Sequence, residues 1–186
     1  PISEKWLPDF NSLIKNSNHL DAYKLLEENK WTLQFSKTPI LESLLLLDKT
    51  KLDKEQRKNF LLITIVVASK EIGFGKVETE IESFLKEFGD SIVADMKQSI
   101  LLSKGNAFAQ NGKINGANNI YKEVIANENT SAVDKAYAYR GLAKIVTSEE
   151  DIIQYHHLAA DKFLEAGKKQ ETITDIASDC NNHIIK

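Results

Sequence analysis

Histidine, cysteine and carboxylate side chains carry most enzyme chemistry, and this chain brings few of them together. His156 and His157 are adjacent, so on a helix they project about 100° apart and do not share a metal ion. His157 and Asp161 lie one turn apart and can pair, but a zinc centre needs more ligands and no H-E-x-x-H is present. Cys180 and His183 share a helix face, and two ligands do not make a site. As a nucleophile, Cys180 would need a depressed pKa and a partner base; its place late in the last helix suits a small buried residue instead. Three Gly-Lys pairs occur: Gly75-Lys76, Gly112-Lys113 and Gly167-Lys168. A phosphate-binding loop needs G-x-x-x-x-G-K-[ST] after a strand. Before Gly112 the first glycine is replaced by Ala107, and Ile114 stands where Ser or Thr is needed. All three pairs fit a helix end followed by a lysine. The acids Glu78, Glu80 and Glu82, and those from Glu149 to Asp151, read as solvated surface and helix N-terminal charge. The expectation is no catalytic residue, no metal and no cofactor.

The elements that would position any site read as helices. Of 186 residues, 42% are apolar and 27% charged, a globular mixture able to bury a core. Three prolines and eight glycines are few helix breakers for this length. The net charge of −3 offers no basic surface to displace counterions from nucleic acid. With one cysteine no intramolecular disulfide forms, so a reducing cytoplasm fits and so does a disulfide-free periplasmic domain. Phe60 to Ala68 (FLLITIVVA) is the most apolar run, far short of the roughly 20 residues that span a bilayer. It reads as the most buried helix, with a strand as the rival because of its β-branched content.

Along the chain, Pro8 starts a first helix to about Asn16, and Asn16-Ser17-Asn18 caps a second over His19 to Asn29. Thr38-Pro39 opens a third, Ile40 to about Leu47. Asp53 with Gln56 makes a capping box for the fourth, which stops near Ile72 before Gly73-Phe74-Gly75. A fifth covers Lys76 to Phe88 with Gly89 as its C-cap, and a sixth runs from Ser91 to Asn111 before Gly112. Further helices cover Ile114 to Asn127, a stretch capped by Thr130 or Ser131 and ending near Val146, Thr147 to Gly167, and Lys169 to about Ile184. Trp6 and Trp31 flank the first helix pair; both are expected to pack across it in the core, with a partner surface as the alternative.

Residues 101–126 read LLSKGNAFAQNGKINGANNIYKEVIA. Leu101, Gly105 and Phe108 place a large, a small and an aromatic residue on one helix. Gly112 sits at the turn, and Ala117 and Tyr121 place a small and an aromatic residue on the next. This pattern resembles a tetratricopeptide repeat. Small side chains at Gly105 and Ala117 let two helices approach, Phe108 and Tyr121 fill the space beside them, and Gly112 permits a left-handed turn. A second, partial match starts near His156, with Ala160, Phe163 and Gly167 in place and Thr172 and Ile176 on the second helix. Leu13, Ala22 and Leu26 form a weaker echo, with Ser17 for the turn glycine. Around Gly141 (YRGLAKI) another repeat could open, but Lys144 stands at its aromatic place. Gly105 and Ala160 are 55 residues apart, against a family period of about 34.

The resemblance implies an all-α fold of antiparallel helix-turn-helix pairs stacked as a short α-solenoid. The chain then reads as a single domain, with divergent N-terminal helices over residues 1–90 and repeat-like helices over 91–186. It implies a protein-binding module or scaffold in which the first helix of each pair lines a concave groove. The groove places are Ser99, Leu102, Asn106, Ala109 and Gln110 in the best repeat, and Gln154, His157, Asp161, Leu164 and Glu165 in the second. They lack the lysine-arginine clamp of carboxylate-grasping members, so the expected partner is a helix or extended segment of a folded protein rather than an acidic tail. No nucleic acid and no membrane contact by this chain are expected. The leading Pro-Ile is compatible with a removed initiator Met or with a trimmed chain. A lost anchor would make this the soluble part of a membrane-tethered bacterial protein. Two other classes stay open: a structural subunit of a larger assembly, and an all-helical small-ligand protein.

Overall fold

The computed structural model describes residues 5–168, 171–172 and 174–175. Cys180, His183, Ile176 and most of the expected last helix lie outside the described residues. Among the described residues there are nine α-helices and no strand. The chain divides into two compact units, residues 1–88 and 89–186.

The first unit holds α1 (Leu7–Lys15), α2 (His19–Asn29), α3 (Leu41–Leu45), α4 (Lys54–Lys70) and α5 (Glu78–Phe88), with short 3-10 turns at Lys30–Gln34, Lys49–Lys51 and Phe74–Val77. Pro8 lies in the first turn of α1, where its missing N–H costs nothing. The apolar run is helical. Phe60, Leu61, Ile65, Val67 and Ala68 are buried on α4, and the Thr64 hydroxyl donates to the Phe60 carbonyl at 2.9 Å inside the core. The capping box fixes where this helix starts: Gln56 N–H donates to Asp53 Oδ1 at 2.9 Å, and Asp53 N–H donates to Gln56 Oε1 at 3.0 Å. Satisfying two orphan donors is worth about 1 kcal/mol, which offsets part of the poor helix propensity of the β-branched residues.

Both ends of this region differ from the sequence expectation. The helix before Leu47 is shorter than expected, and Ile40, not Thr38, precedes its first turn. Its leading N–H groups, which have no intrahelical acceptor, are capped from a distance: the Glu71 carboxylate accepts from Ile40 N–H at 2.7 Å and Leu41 N–H at 3.3 Å. A carboxylate there also meets the positive end of the helix dipole. After α4, the left-handed position is taken by Ile72 (φ 53°) and not by Gly73. Gly73 serves close approach instead, since a Cβ there would lie 2.6 Å from Leu41 Cδ2. Gly75 falls inside the 3-10 turn Phe74–Val77, so it is not a helix end.

The second unit holds α6 (Ala94–Gln110), α7 (Ile114–Ala126), α8 (Ala132–Ile145) and α9 (Glu149–Glu165), and residues 171–172 and 174–175 are again helical. Ser131, rather than Thr130, caps α8 by accepting from Asp134 N–H at 3.1 Å; the Thr130 side chain is buried against Gln98. Gly112 (φ 73°) and Gly167 (φ 71°) end α6 and α9 in the left-handed region, where a Cβ would be strained. α8 packs against α6, α7 and α9. Its core contains Leu102, Ala117, Tyr121, Val124, Ala138 and Leu142, beside a smaller cluster of Ala136, Ala159 and Phe163.

Candidate interaction surfaces

In the second unit, close helix approach centres on one ring. A Cβ on Gly105 of α6 would lie 2.8 Å from Tyr121 Cε1. A Cβ on Gly141 of α8 would lie 2.7 Å from both Cε atoms of the same ring and nearer still to Cζ. Tyr121 therefore occupies a slot that only two glycines leave open, and its hydroxyl donates to Asn106 Oδ1 at 2.8 Å. Phe108 is matched by Gly116, whose Cβ would sit 2.6 Å from Phe108 Cδ2. Ala117 is fully buried in the main core, with Leu102 of α6 and Tyr121.

Burial pushes the Tyr121 phenol up to about 12, against roughly 10 in the unfolded chain. The folded state therefore holds the proton more tightly. Its contribution is fully present below pH 10 and is lost as pH rises from about 10 to 12, at about 1.4 kcal/mol per pH unit. Tyr23 of the first unit is raised to about 12, chiefly by burial as well, so the second unit must be followed separately. Both tryptophans, Trp6 and Trp31, lie in the first unit. Denaturant melts read by tyrosine near-UV circular dichroism should lose about 1 kcal/mol of stability between pH 10 and 11. Tyr121→Phe should flatten that slope while lowering stability near neutral pH, and an unchanged slope would contradict the buried phenol.

A second feature of this unit went unread in the sequence. Arg140 of α8 donates through Nε to both oxygens of Asp175, at 3.0 and 2.9 Å, and through Nη2 to the Glu171 carbonyl at 2.9 Å. His156 Nδ1 of α9 lies 2.9 Å from Asp175 Oδ1. The guanidinium stacks over the Phe163 ring at 4.5 Å. Asp175 is only 1% exposed, so a buried charge joins Asp175 to α8 and α9. Composition held a signal: of 24 basic residues only Arg57 and Arg140 are arginine. Both grip carboxylates, Arg57 through Nε to Glu87 Oε2 at 2.9 Å. Arginine's planar fork suits that task where lysine does not. Among the described residues no three His, Cys, Asp or Glu side chains converge as a metal site, and no helix is long and apolar enough to cross a membrane.

The expected groove residues separate into two groups. On α6, Leu102 is 6% exposed and sits in the core cluster, so it lines no open groove. Ser99 is half-buried and its hydroxyl donates to Asp134 Oδ2 of α8 at 2.5 Å. Asn106 accepts from Tyr121 as above, Ala109 packs against the core, and of this set Gln110 alone is exposed. The face of α6 assigned to a partner is thus largely spent on α7 and α8. On α9 the outcome is the reverse. Gln154, His157, Asp161, Leu164 and Glu165 are all exposed, and their spacing aligns them in one row. Leu164 is 61% exposed, an apolar side chain amid polar neighbours; Glu165 pairs with Lys162 at 2.6 Å.

In the first unit the two tryptophans part company. Trp6 is core, with its indole N–H donating to Thr32 Oγ1 at 3.1 Å. Trp31, expected in the core as well, is instead 60% exposed. It edges a cleft of about 400 Å³ with Leu62, Ile63 and Val66 of α4, and Val66 is 68% exposed.

Comparison with known proteins returns nothing to set beside these surfaces: no protein family, no curated protein and no solved structure matches the chain.

Proposed function

We infer that the chain is a protein-interaction module, with α6 to α9 stacked as two tetratricopeptide-like pairs and a partner docking on the outer face of α9. The row Gln154, His157, Asp161, Leu164 and Glu165 carries this reading: hydrogen-bonding and charged groups surround one exposed apolar side chain. Such a mixture suits a surface that must stay soluble alone and still bury an anchor on binding.

The slot around Tyr121 supports the stack. It pins α8 against both helices of the preceding pair, as stacked repeats must be to share one core. In this frame Gly141 takes the place in the second pair that Gly105 holds in the first. Their separation of 36 residues is close to a repeat of about 34, where the frame through Ala160 gave 55. α9 is then the second helix of its pair, which turns its exposed row outward rather than into a groove. A binding surface on a scaffold that cannot shift loses less entropy on docking.

Site-specific photo-crosslinking in cells of the source organism tests this. A benzophenone amino acid at position 164 or 161 should yield a discrete protein adduct. The same probe at Lys122, exposed on α7, should not. Equal labelling at the three positions, or no adduct at 161 and 164, would remove the basis for the reading.

A further inference from the structure

We propose that the Trp31 cleft of the first unit is a second, independent docking site, and that its occupant is an amphipathic protein helix with an apolar face flanked by acidic residues. The cleft lies between the 3-10 turn Lys30–Gln34 and α4. Leu62, Ile63, Val66, Val67 and Lys70 follow one another along α4 at helical spacing, a stripe of about 12 Å. That length suits an occupant of two to three turns with apolar residues at i, i+3 or i+4, and i+7. A second hollow of about 550 Å³ adjoins the first and shares Leu33, Val67 and Lys70 with it.

Charge selects the occupant. The two hollows are lined by Lys30, Lys37, Lys70 and Lys76, and Glu71 is the one acid among their lining residues. Glu71 is already committed to the N–H groups of Ile40 and Leu41. Lys70 donates to the Leu33 and Ser36 carbonyls at 2.5 and 2.6 Å. It therefore holds its positive charge on the ridge between the hollows and fastens the turn that carries Trp31. Lys76 pairs with Glu42 at the rim, a solvent-facing contact worth little and readily exchanged for a partner's acids, and Lys30 pairs with the more buried Glu27. A cationic rim around an apolar floor, on a chain of net charge −3, favours an acidic amphipathic segment over a basic one. An exposed Trp beside aliphatic side chains is the usual chemistry of a binding anchor.

The test is affinity selection of a random helical-peptide display library on the full chain, followed by binding of the selected peptides to variants. Selected sequences should combine the apolar spacing above with Asp or Glu on the flanks. Val66→Glu should weaken them at least about tenfold, with circular dichroism and Trp6 emission unchanged. Lys30→Glu with Lys37→Glu should weaken them about fivefold or more, and added salt should weaken the wild-type complex. No enrichment, enrichment of basic sequences, or binding that ignores Val66→Glu overturns the proposal. So does a blue shift of Trp31 emission on phosphatidylcholine–phosphatidylserine vesicles, which would make the occupant a membrane. Concentration-dependent dimerisation abolished by Val66→Glu would make it a second copy of the chain and overturns the proposal too. None of these outcomes touches α9, so this site stands or falls apart from that one.

Discussion

Gly141→Ala should destabilise the second unit by about 1–3 kcal/mol, although alanine is the better helix former. Helix propensity alone favours alanine by about 0.8–1 kcal/mol. Against that gain stands the Tyr121 ring, whose outer carbons lie where the new methyl would go. The ring has nowhere to retreat. It is fully buried, Gly105 closes its other side, and its hydroxyl is held by Asn106. Gly105→Ala should cost a similar amount, because its methyl would meet both the ring and Ile120 Cγ2, the latter at 3.2 Å. Gly116→Ala is the control. Its methyl would press on Phe108, but that ring is only partly buried and carries Lys104 and Lys113 over its face. It can turn aside, so this variant should be neutral or slightly stabilising. Urea unfolding followed by circular dichroism ranks the three. The Tyr121→Leu background should erase most of the Gly141→Ala penalty. Were the penalty to persist there, or Gly141→Ala to match wild type, the slot would not be what sets the helix spacing.

What could be read from the sequence was local, and what escaped was not. The capping box at Asp53 and Gln56 and the turn glycines Gly112 and Gly167 involve residues a few positions apart, so their chemistry appears in a short window. Phe60 to Ala68 stayed ambiguous between helix and strand because its less buried residues, Leu62, Ile63 and Val66, are as apolar as its buried ones, which erases the period that separates the two. The spacing of Gly105, Phe108 and Tyr121 pointed to a tight hairpin. Gly141, the other wall of the slot, is hidden in the sequence because Lys144 stands at the aromatic place that should follow it. The Glu71 cap on α3 and the Arg140–Asp175 pair join residues 31 and 35 positions apart, and no window of helical periodicity reaches that far. The groove on α6 was misplaced for a related reason. Family positions say which face a residue occupies, not which neighbour covers that face, and α8 covers Leu102. A large aromatic beside an amphipathic helix reads as core, and for Trp31 that was wrong: the 3-10 turn that follows α2 swings it outward while Trp6 and Thr32 close the core beneath.

Arg140→Met should cost about 3 kcal/mol, the scale for stripping a partner from a buried charge. The logic rests on an asymmetry. A buried ion pair roughly breaks even against an apolar pair of similar size, whereas one buried ion left behind does not. Methionine keeps the apolar stem that packs beside Phe163 but leaves the Asp175 carboxylate with His156 as its remaining side-chain contact among those above. Arg140→Met with Asp175→Leu removes both charges. That double variant should recover most of the loss, which no account based on packing alone predicts. Arg140→Lys should fall between, since a point charge cannot span both oxygens and the Glu171 carbonyl together. Arg57 supplies the contrast. It grips Glu87 through both Nε and Nη2, but both side chains stand more than a quarter exposed, so Arg57→Met should cost no more than about 1 kcal/mol. Hydrogen exchange at Glu171, Thr172, Thr174 and Asp175 separates local release from global loss: Arg140→Met should deprotect those residues before α8. Equal small effects at Arg140 and Arg57, or a double variant weaker than the single, would mean that the buried pair does not fasten this segment.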